Sequence, residues 1–295
     1  MISIIICSRS REIEKTLLSN IQSTIGCDYE LIFIDNSENK YSIFAAYNLG
    51  IRKSKGNYLC FLHDDIYMHT LNWGLTVERV FNEANEIGIL GVAGAKIKTK
   101  TASGWWNCPD EYKVINIIQH INKNKVENWY YGFKSHNLEE VVTIDGVFMV
   151  VKNGNNIFFN EKLNGFHNYD FNICLEAKMK DLKIFVTNEI LIEHFSNGII
   201  NQSWYQETSR IHRMYENELP LVLKNEIDKE NLNKLEAKNG YSFLKKYLQL
   251  KIDFFAIKLW CIFFVNGFSV NDNLQILKIL IKRVLKRYVL NKYNE

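Results

Sequence analysis

Tyr58-Leu59-Cys60-Phe61-Leu62-His63-Asp64-Asp65 decides the reading of this chain: five apolar residues stop abruptly on an imidazole and two carboxylates. A continuous apolar run of that length, entered through Lys55-Gly56-Asn57, predicts a strand buried on both faces, as in a parallel sheet covered by helices. The polar cluster then falls at the strand's carboxyl end, where open α/β sheets bind ligands. Adjacent carboxylates repel one another unless a cation or a donor-rich ligand compensates them, and hard oxygen ligands suit Mg²⁺ or Mn²⁺. A metal-bound diphosphate is the partner this chemistry points to. The plainer alternative is a pair of acids that caps the next helix or lines a solvated turn.

The pattern around this stretch is that of an α/β protein with helices packed on a sheet. Upstream, residues 2–7 read as a strand, 13–25 as a helix, and 30–34 as a second strand ending on Asp35-Asn36-Ser37. A further helix fits 42–53. Downstream, strands are expected at 87–95 and at 141–151, the latter interrupted at Asp145-Gly146, then a helix at 168–180 and strands at 182–187 and 189–193. Residues 98–137 show no clear period and predict a long irregular loop, often a functional feature in a compact domain. Beyond about Trp204 the helical period runs to the end. The sequence contains no internal repeat.

The chain has 295 residues, 47% hydrophobic and 23% charged, enough to bury a full core. A net charge of +3 gives no reason to expect a nucleic-acid partner, but the charge is uneven. Residues 241–295 hold ten Lys or Arg against three acids, a balance of +7, which leaves −4 on the rest. The six cysteines are scattered without a C-x-x-C pair, which predicts free thiols and a cytoplasmic setting. The N-terminus shows no signal-peptide pattern.

Three segments together carry a resemblance: residues 2–10, 30–37, and Ala46-Tyr47-Asn48-Leu49-Gly50-Ile51 through to Asp65. They resemble the nucleotide-binding half of family 2-like glycosyltransferases of the GT-A fold. Asp145-Gly146-Val147-Phe148-Met149-Val150, then Gly165-Phe166-His167-Asn168-Tyr169-Asp170, then Glu193-His194-Phe195 continue the likeness in the family's order. The resemblance implies a Rossmann-like, mixed but mainly parallel sheet flanked by helices, with a C-terminal helical extension. It divides the chain into a catalytic domain at 1–203 and a basic, amphipathic helical region at 204–295. Within the first, about 1–97 would bind the nucleotide sugar and about 98–203 would supply the acceptor side and the base.

The implied site follows residue by residue. Ser8, Arg9 and Asp35 approach the base and ribose, Asp64 the ribose and diphosphate, and Asn48, Lys53 and Gly146 join the nucleotide-sugar set. Asp65 is the principal metal ligand, with His63 and His194 beside it, for Mn²⁺ or Mg²⁺. Asp170 is the general base of an inverting transfer, drawing the proton from the acceptor hydroxyl as the diphosphate leaves. The donor is a nucleoside-diphosphate sugar, a UDP-sugar first, and the acceptor a glycan, glycolipid or glycoprotein in bacterial-style polysaccharide or glycoconjugate synthesis. Two departures stand out: His63 replaces the first carboxylate of the common Asp-x-Asp, and Tyr169 replaces the acid before Asp170. One fewer anionic ligand lowers the attraction for a divalent cation. A nucleotidyltransferase would need a Gly-rich phosphate loop, and Cys7-Ser8-Arg9-Ser10-Arg11-Glu12 has no glycine. An inactive carbohydrate-binding or scaffold protein of the same fold is the other alternative.

Trp105 and Trp106, with Trp129-Tyr130-Tyr131, are either an acceptor platform or loop packing. His69, His120, His136, His167 and His212 carry no expected role. In the tail, Leu274, Leu277, Leu280, Ile281, Val284, Leu285 and Tyr288 share one helical face, with Lys278, Lys282, Arg283, Lys286 and Arg287 around the other. Such a helix could lie on an anionic membrane surface at the inner face of the cell membrane, pack on its own domain, or pair in a homodimer. Residues 259–270 are too short to span a bilayer.

Overall fold

The computed structural model describes residues 1–84, 86–264 and 267–292, the last stretch without the side chains of 284 and 286–292. The chain opens β1 (Ile2–Ser8), α1 (Lys15–Thr24), β2 (Tyr29–Asp35), α2 (Ile43–Lys53), β3 (Tyr58–Leu62), β4 (Ile66–Met68), α3 (Trp73–Glu83), β5 (Ile87–Gly91), β6 (Ala93–Ala95) and β7 (Ile97–Lys98). Then come β8 (Lys113–Asn122), β9 (Lys125–Tyr131), β10 (Leu138–Val141), β11 (Thr143–Ile144), β12 (Phe148–Lys152), α4 (Tyr169–Lys178), β13 (Lys183–Thr187) and β14 (Ile192–His194). α5 (Gln202–Met214), β15 (Leu221–Val222), α6 (Lys229–Leu250), α7 (Phe254–Phe264) and α8 (Val270–Lys292) complete it.

The main sheet has the order β10-β13-β5-β12-β3-β1-β2. β1, β2, β3, β5 and β13 point the same way and only β12 and β10 oppose them, so the sheet is mixed and mainly parallel. Both faces are buried, which is why its strands are apolar without alternation. Ile4 and Ile6 of β1 pack into one core with Cys60, Leu62 and Trp73, while Ile5 and Phe61 face the other with Tyr47 and Cys174. A second sheet, ordered β11-β6-β8-β14-β4 with β9 on β8, continues past the carboxyl ends of the first.

Three expectations are corrected. Residues 87–95 do not form one strand: β5 lies in the main sheet and β6 in the second, the chain crossing between them at Val92. The 141–151 segment is interrupted at Asp145-Gly146 as expected, but its pieces are not one strand: Val141 ends β10, β11 lies in the second sheet and β12 in the main one. The 98–137 stretch is not irregular throughout, since β8 and β9 form a long antiparallel hairpin. Its Val114, Ile115 and Ile117 are buried, and that β-branched run was the signal for a strand.

α5 begins at Gln202 and packs Ile211 into the main core, and β15 pairs with β7, so this part of the chain is tied to the sheets. α6 carries Phe243, Leu244, Tyr247 and Leu248 into a third core with Trp204, Ala102, Ala256, Leu259 and Ile276. The 204–295 region thus rests on the catalytic unit through α6. On α8, Leu274, Leu277, Ile281 and Leu285 are exposed, whereas Leu280 packs inward. Arg283 is not a free surface cation: its guanidinium donates to the Leu248 carbonyl at 3.0 Å and to the Leu250 carbonyl, closing the end of α6. The side chains of Val284, Lys286, Arg287 and Tyr288 lie outside the described residues. Among the described residues no helix is long and apolar enough to cross a membrane.

The core offers a direct test of this packing. Trp73 is fully buried, donates from Nε1 to Thr24 Oγ1 at 3.1 Å and meets Phe148 edge-on at 5.8 Å. Trp73→Ala is expected to cost about 3–5 kcal/mol in denaturant unfolding, and a loss below about 1 kcal/mol would contradict the packing.

Candidate active site

Three residues separate β3 from β4, and they are His63, Asp64 and Asp65. β4 turns back beneath β14, with Ile66 opposite His194, and the Phe195 amide donates to the Asp65 carbonyl at 3.0 Å. That register sets His194 against the polar turn. His63 Nδ1 lies 3.7 Å from Asp65 Oδ1 and 3.4 Å from His194 Nε2, and His194 Nε2 lies 3.5 Å from Asp65 Oδ1. Gln119 on β8 fixes the tautomer of His194: its Nε2 donates to the Ser196 carbonyl at 2.8 Å, leaving Oε1 to accept from His194 Nδ1 at 3.0 Å. His194 Nε2 is therefore the ring nitrogen turned to Asp65, able to donate to the carboxylate when protonated and to offer a lone pair when it is not. His63 Nε2 is 2.6 Å from Tyr169 Oη, which fixes the ring with Nδ1 turned toward Asp65 and His194.

Two nitrogens and one carboxylate oxygen at this spacing suit one divalent first-row ion, whose bonds run about 2.0–2.2 Å. Electrostatics agree. Burial alone would raise the Asp65 carboxyl, but hydrogen bonds from His194, His63 and Ser196 overcome it and hold it well below the usual carboxylate range. Burial works against charge on His63 too, and the neighbouring Asp65 carboxylate reverses this and raises its pKa.

A cavity of about 670 Å³ opens from this cluster, lined among others by His63, His194, Trp105, Trp106, Asp145, Tyr169 and Asp170. Asp170 stands in the first turn of α4, and its Oδ1 accepts from the Phe171 amide at 2.8 Å. Burial, then the charge of Asp145, pushes its carboxyl up to about 7. Asp145 is held on both oxygens: Oδ1 accepts from the Val147 amide and Oδ2 from Trp105 Nε1, each at 2.9 Å. Gly146 lies against Tyr169, and a Cβ there would come within 2.3 Å of Tyr169 Oη. Trp105 and Trp106 meet edge-on at 6.0 Å, and Trp106 leans on Trp204 at 5.9 Å.

Ser8 and Asp35 end β1 and β2 in register, on the same edge of the sheet as His63. Ser8 Oγ donates to Asp64 Oδ2 and the Arg9 guanidinium stacks over Phe166 at 5.0 Å. Asp35 is exposed, and the Ser37 amide holds its carboxyl below the usual range. Asn48 and Lys53 are not brought to the cluster. Asn48 is buried in α2, where it donates to the Phe159 carbonyl at 2.8 Å and accepts from the Phe159 amide at 2.9 Å. Lys53 ends α2 and is exposed, at the amino-end edge of the sheet where β3 begins, because α2 runs back against the strands.

Sequence reasoning passed over Gln119, Asp145, Tyr169 and the buried pair Lys98–His212. Lys98 Nζ donates to the Ser103 carbonyl at 3.1 Å, to Ser103 Oγ at 2.8 Å and to His212 Nε2 at 2.9 Å. Its three donors meet three neutral acceptors, and burial lowers its pKa to about 7. A lysine between Ile97 and Thr99 in an apolar stretch was the available signal.

The fold and the site define an enzyme class: a polar strand-end edge and a His-Asp-His cluster, whose His63 and His194 line one cavity with the raised carboxyl of Asp170. Residues 3–226 match the Glycosyltransferase like family, and the chain belongs to that family and is a glycosyltransferase. Solved structures similar to it include residues 1–349 of S. aureus TarS in complex with UDP-GlcNAc, at 13% identity, 96% of this chain, 82% of that chain and a TM-score of 0.47. GalNAc-T7 with UDP, GalNAc and Mn²⁺ aligns at 12% identity over 81% of this chain and 54% of that chain, TM-score 0.47. A197 from STIV aligns at 12% identity over 66% and 86%, TM-score 0.41. Likenesses this distant decide nothing about substrate. No curated protein sequence matches the chain significantly.

Tyr169→Phe deletes only the oxygen that supports His63, and is expected to weaken Mn²⁺ binding about tenfold or more in calorimetric titration. Gly146→Ala, which displaces the same oxygen, should act in the same direction. Unchanged affinity in both would remove Tyr169 from the support of the cluster.

Proposed function

We propose that this glycosyltransferase moves a sugar from a nucleoside-diphosphate sugar, a UDP-sugar in the first instance, to an acceptor hydroxyl with inversion at the anomeric carbon. The observation that carries the reading is that Asp170, a carboxyl raised toward neutrality, and the His63–Asp65–His194 cluster open into one cavity. A divalent cation held by those three residues would stabilise negative charge on the departing diphosphate. Two imidazoles in the set favour Mn²⁺ over Mg²⁺, which prefers all-oxygen surroundings. Ser8, Arg9, Asp35 and Asp64 at the strand ends orient the nucleoside side of the donor.

Asp170 accepts the proton of the attacking hydroxyl as the new glycosidic bond forms and the bond to diphosphate breaks. One of its oxygens is held by the Phe171 amide, and among the described residues no side chain hydrogen-bonds to the carboxyl. A retaining double displacement would instead make a carboxylate the nucleophile, whereas Asp145 is held on both oxygens by Val147 and Trp105 and Asp170 is placed here as the base. Inversion is the outcome that fits. Trp106, which borders the cavity and is partly exposed, offers an apolar face to the acceptor sugar, while Trp105 holds Asp145. The acceptor class is a glycan, glycolipid or glycoprotein, in polysaccharide or glycoconjugate synthesis. The six free cysteines, Cys60 and Cys174 fully buried, fit a reducing, cytoplasmic setting.

Asp170 must be ionised to act, so kcat/KM should climb about tenfold per pH unit up to about pH 7 and level off above it. Linkage gives a second sign. A carboxyl raised on folding favours the native state below its unfolded value and loses that contribution as pH rises to about 7. Asp170→Asn should therefore melt higher than the parent at pH 8, and not at pH 4, while losing at least about 10²-fold in kcat. Normal turnover in a folded Asp170→Asn protein would end the assignment. UDP-sugar and Mn²⁺ together should raise the melting temperature of the parent, and Asp65→Ala should abolish the metal-dependent part. A shift that ignores Mn²⁺ would mean metal-independent donor binding.

A further inference from the structure

A second cavity of about 390 Å³ lies where α5 meets the end of α6, and it shares no lining residue with the catalytic cavity. Arg210, Arg213 and Lys251 line it together with Asn164, Gln206 and Glu207. The one carboxylate there faces inward: Glu207 accepts from the Phe166 amide at 3.1 Å and the His167 amide at 2.8 Å. Arg210 donates to Asn164 Oδ1, and Arg213 donates from Nε to the Ser209 carbonyl at 3.2 Å with its guanidinium 5.5 Å over Phe255. Among the described residues neither guanidinium forms an ion pair, whereas Lys251 meets Asp253 at 3.3 Å. Two guanidinium forks at one cavity, neither closed into an ion pair although Glu207 lies within electrostatic reach of Arg210, are the chemistry that grips a phosphate.

Lys251 leads directly into α7, a helix apolar on both sides. Ala256 and Leu259 are buried against α6, while the outward Phe254, Ile257, Ile262 and Phe264 are exposed, Phe254 to 81%. Its sole charge, Lys258, is paired with Glu216 at 2.7 Å. A helix that is hydrophobic all round is normally covered on all sides. A second copy is a poor cover, because residues 241–295 carry a balance of +7 and would face the same charge. An anionic lipid surface supplies both the apolar phase and the opposite charge.

We propose that an anionic phospholipid bilayer is the partner of this face, with a headgroup phosphate in the Arg210–Arg213–Lys251 cavity and the outer side of α7 at the acyl boundary. The sequence offered membrane contact through the basic amphipathic α8 as one of three alternatives; the contact proposed here centres on α5 and α7 instead. The exposed Leu274, Leu277, Ile281 and Leu285 of α8 add a further apolar row. The inference stands apart from the catalytic reading, since its readout involves no turnover.

The test is flotation of the full chain with vesicles of phosphatidylglycerol and phosphatidylcholine, against phosphatidylcholine alone. Binding to the anionic vesicles only is expected. Arg210→Gln with Arg213→Gln should weaken it about tenfold or more, and Phe254→Ser with Ile257→Ser should do likewise, both pairs keeping the parent's circular dichroism. Inorganic phosphate should compete with vesicles for the parent and not for the arginine variant. No flotation, equal flotation on both vesicle types, or an arginine variant that floats like the parent would overturn the proposal. So would a dimer in sedimentation that the Phe254 and Ile257 changes dissolve, since the face would then be a self-interface.

Discussion

The antiparallel pairing of β4 with β14 is the constraint on which the site depends. β3 delivers His63, Asp64 and Asp65 to the edge of the main sheet, but three polar residues in a turn are only a local cluster. β4 follows at once and enters the second sheet, where its register puts Ile66 opposite His194. A slip of one residue would turn His194 to the opposite face of that sheet. The amide of Phe195 on the Asp65 carbonyl locks the register from the other side. An imidazole 131 residues away in sequence thereby stands 3.4 Å from His63.

Around that constraint the carboxyls are driven in opposite directions. Asp65 is held low by two imidazoles, and Asp170, deeper and facing Asp145, is pushed up to about 7. Two neighbouring carboxyls with separated affinities for protons suit the proposed division between holding a cation and moving a proton at one pH. Tyr169 joins the two halves, since it precedes Asp170 on α4 and its hydroxyl sits 2.6 Å from His63. The tyrosine that replaces the acid before Asp170 thus supports the His63–Asp65–His194 cluster, in which His63 itself stands where the common pattern has a carboxylate. The two departures from the common pattern are coupled in space.

The aromatic wall of the cavity is held from behind. Glu236 on α6 accepts from the amides of Lys100 and Thr101, Asn239 donates to the Asn107 carbonyl, and Lys98 clamps Ser103 to His212 of α5. Residues 99–107, which carry Trp105 and Trp106, are therefore fixed by helices from the last third of the chain. The helical region is a buttress of the site on its inner side and an apolar surface on its outer side.

Much of the fold was legible from local pattern. Apolar runs of strand length alternating with helical periods placed β1 to β3, α1, α2 and α4, because a strand buried on both faces has to be apolar throughout. His63, Asp65, Asp170 and the last-strand His194 were legible from their order along the chain, which a sequence displays directly. Legibility failed where a residue's job depends on a neighbour distant in sequence. Asn48 reads as a polar residue near the site, and only the packing of α2 on residues 159–161 makes it a core clamp. Lys53 reads as a cation for phosphate, and only the reversed direction of α2 sends it to the far edge. Gln119, Tyr169 and Lys98 acquire meaning from hydrogen bonds spanning 75, 106 and 114 residues. The sequence by itself determined which segments become strands and helices, and which strand ends carry charge, since burial and period act within a segment. The tertiary structure alone decided which of those charged ends meet, because contact between segments depends on register and crossing direction, which no local pattern encodes.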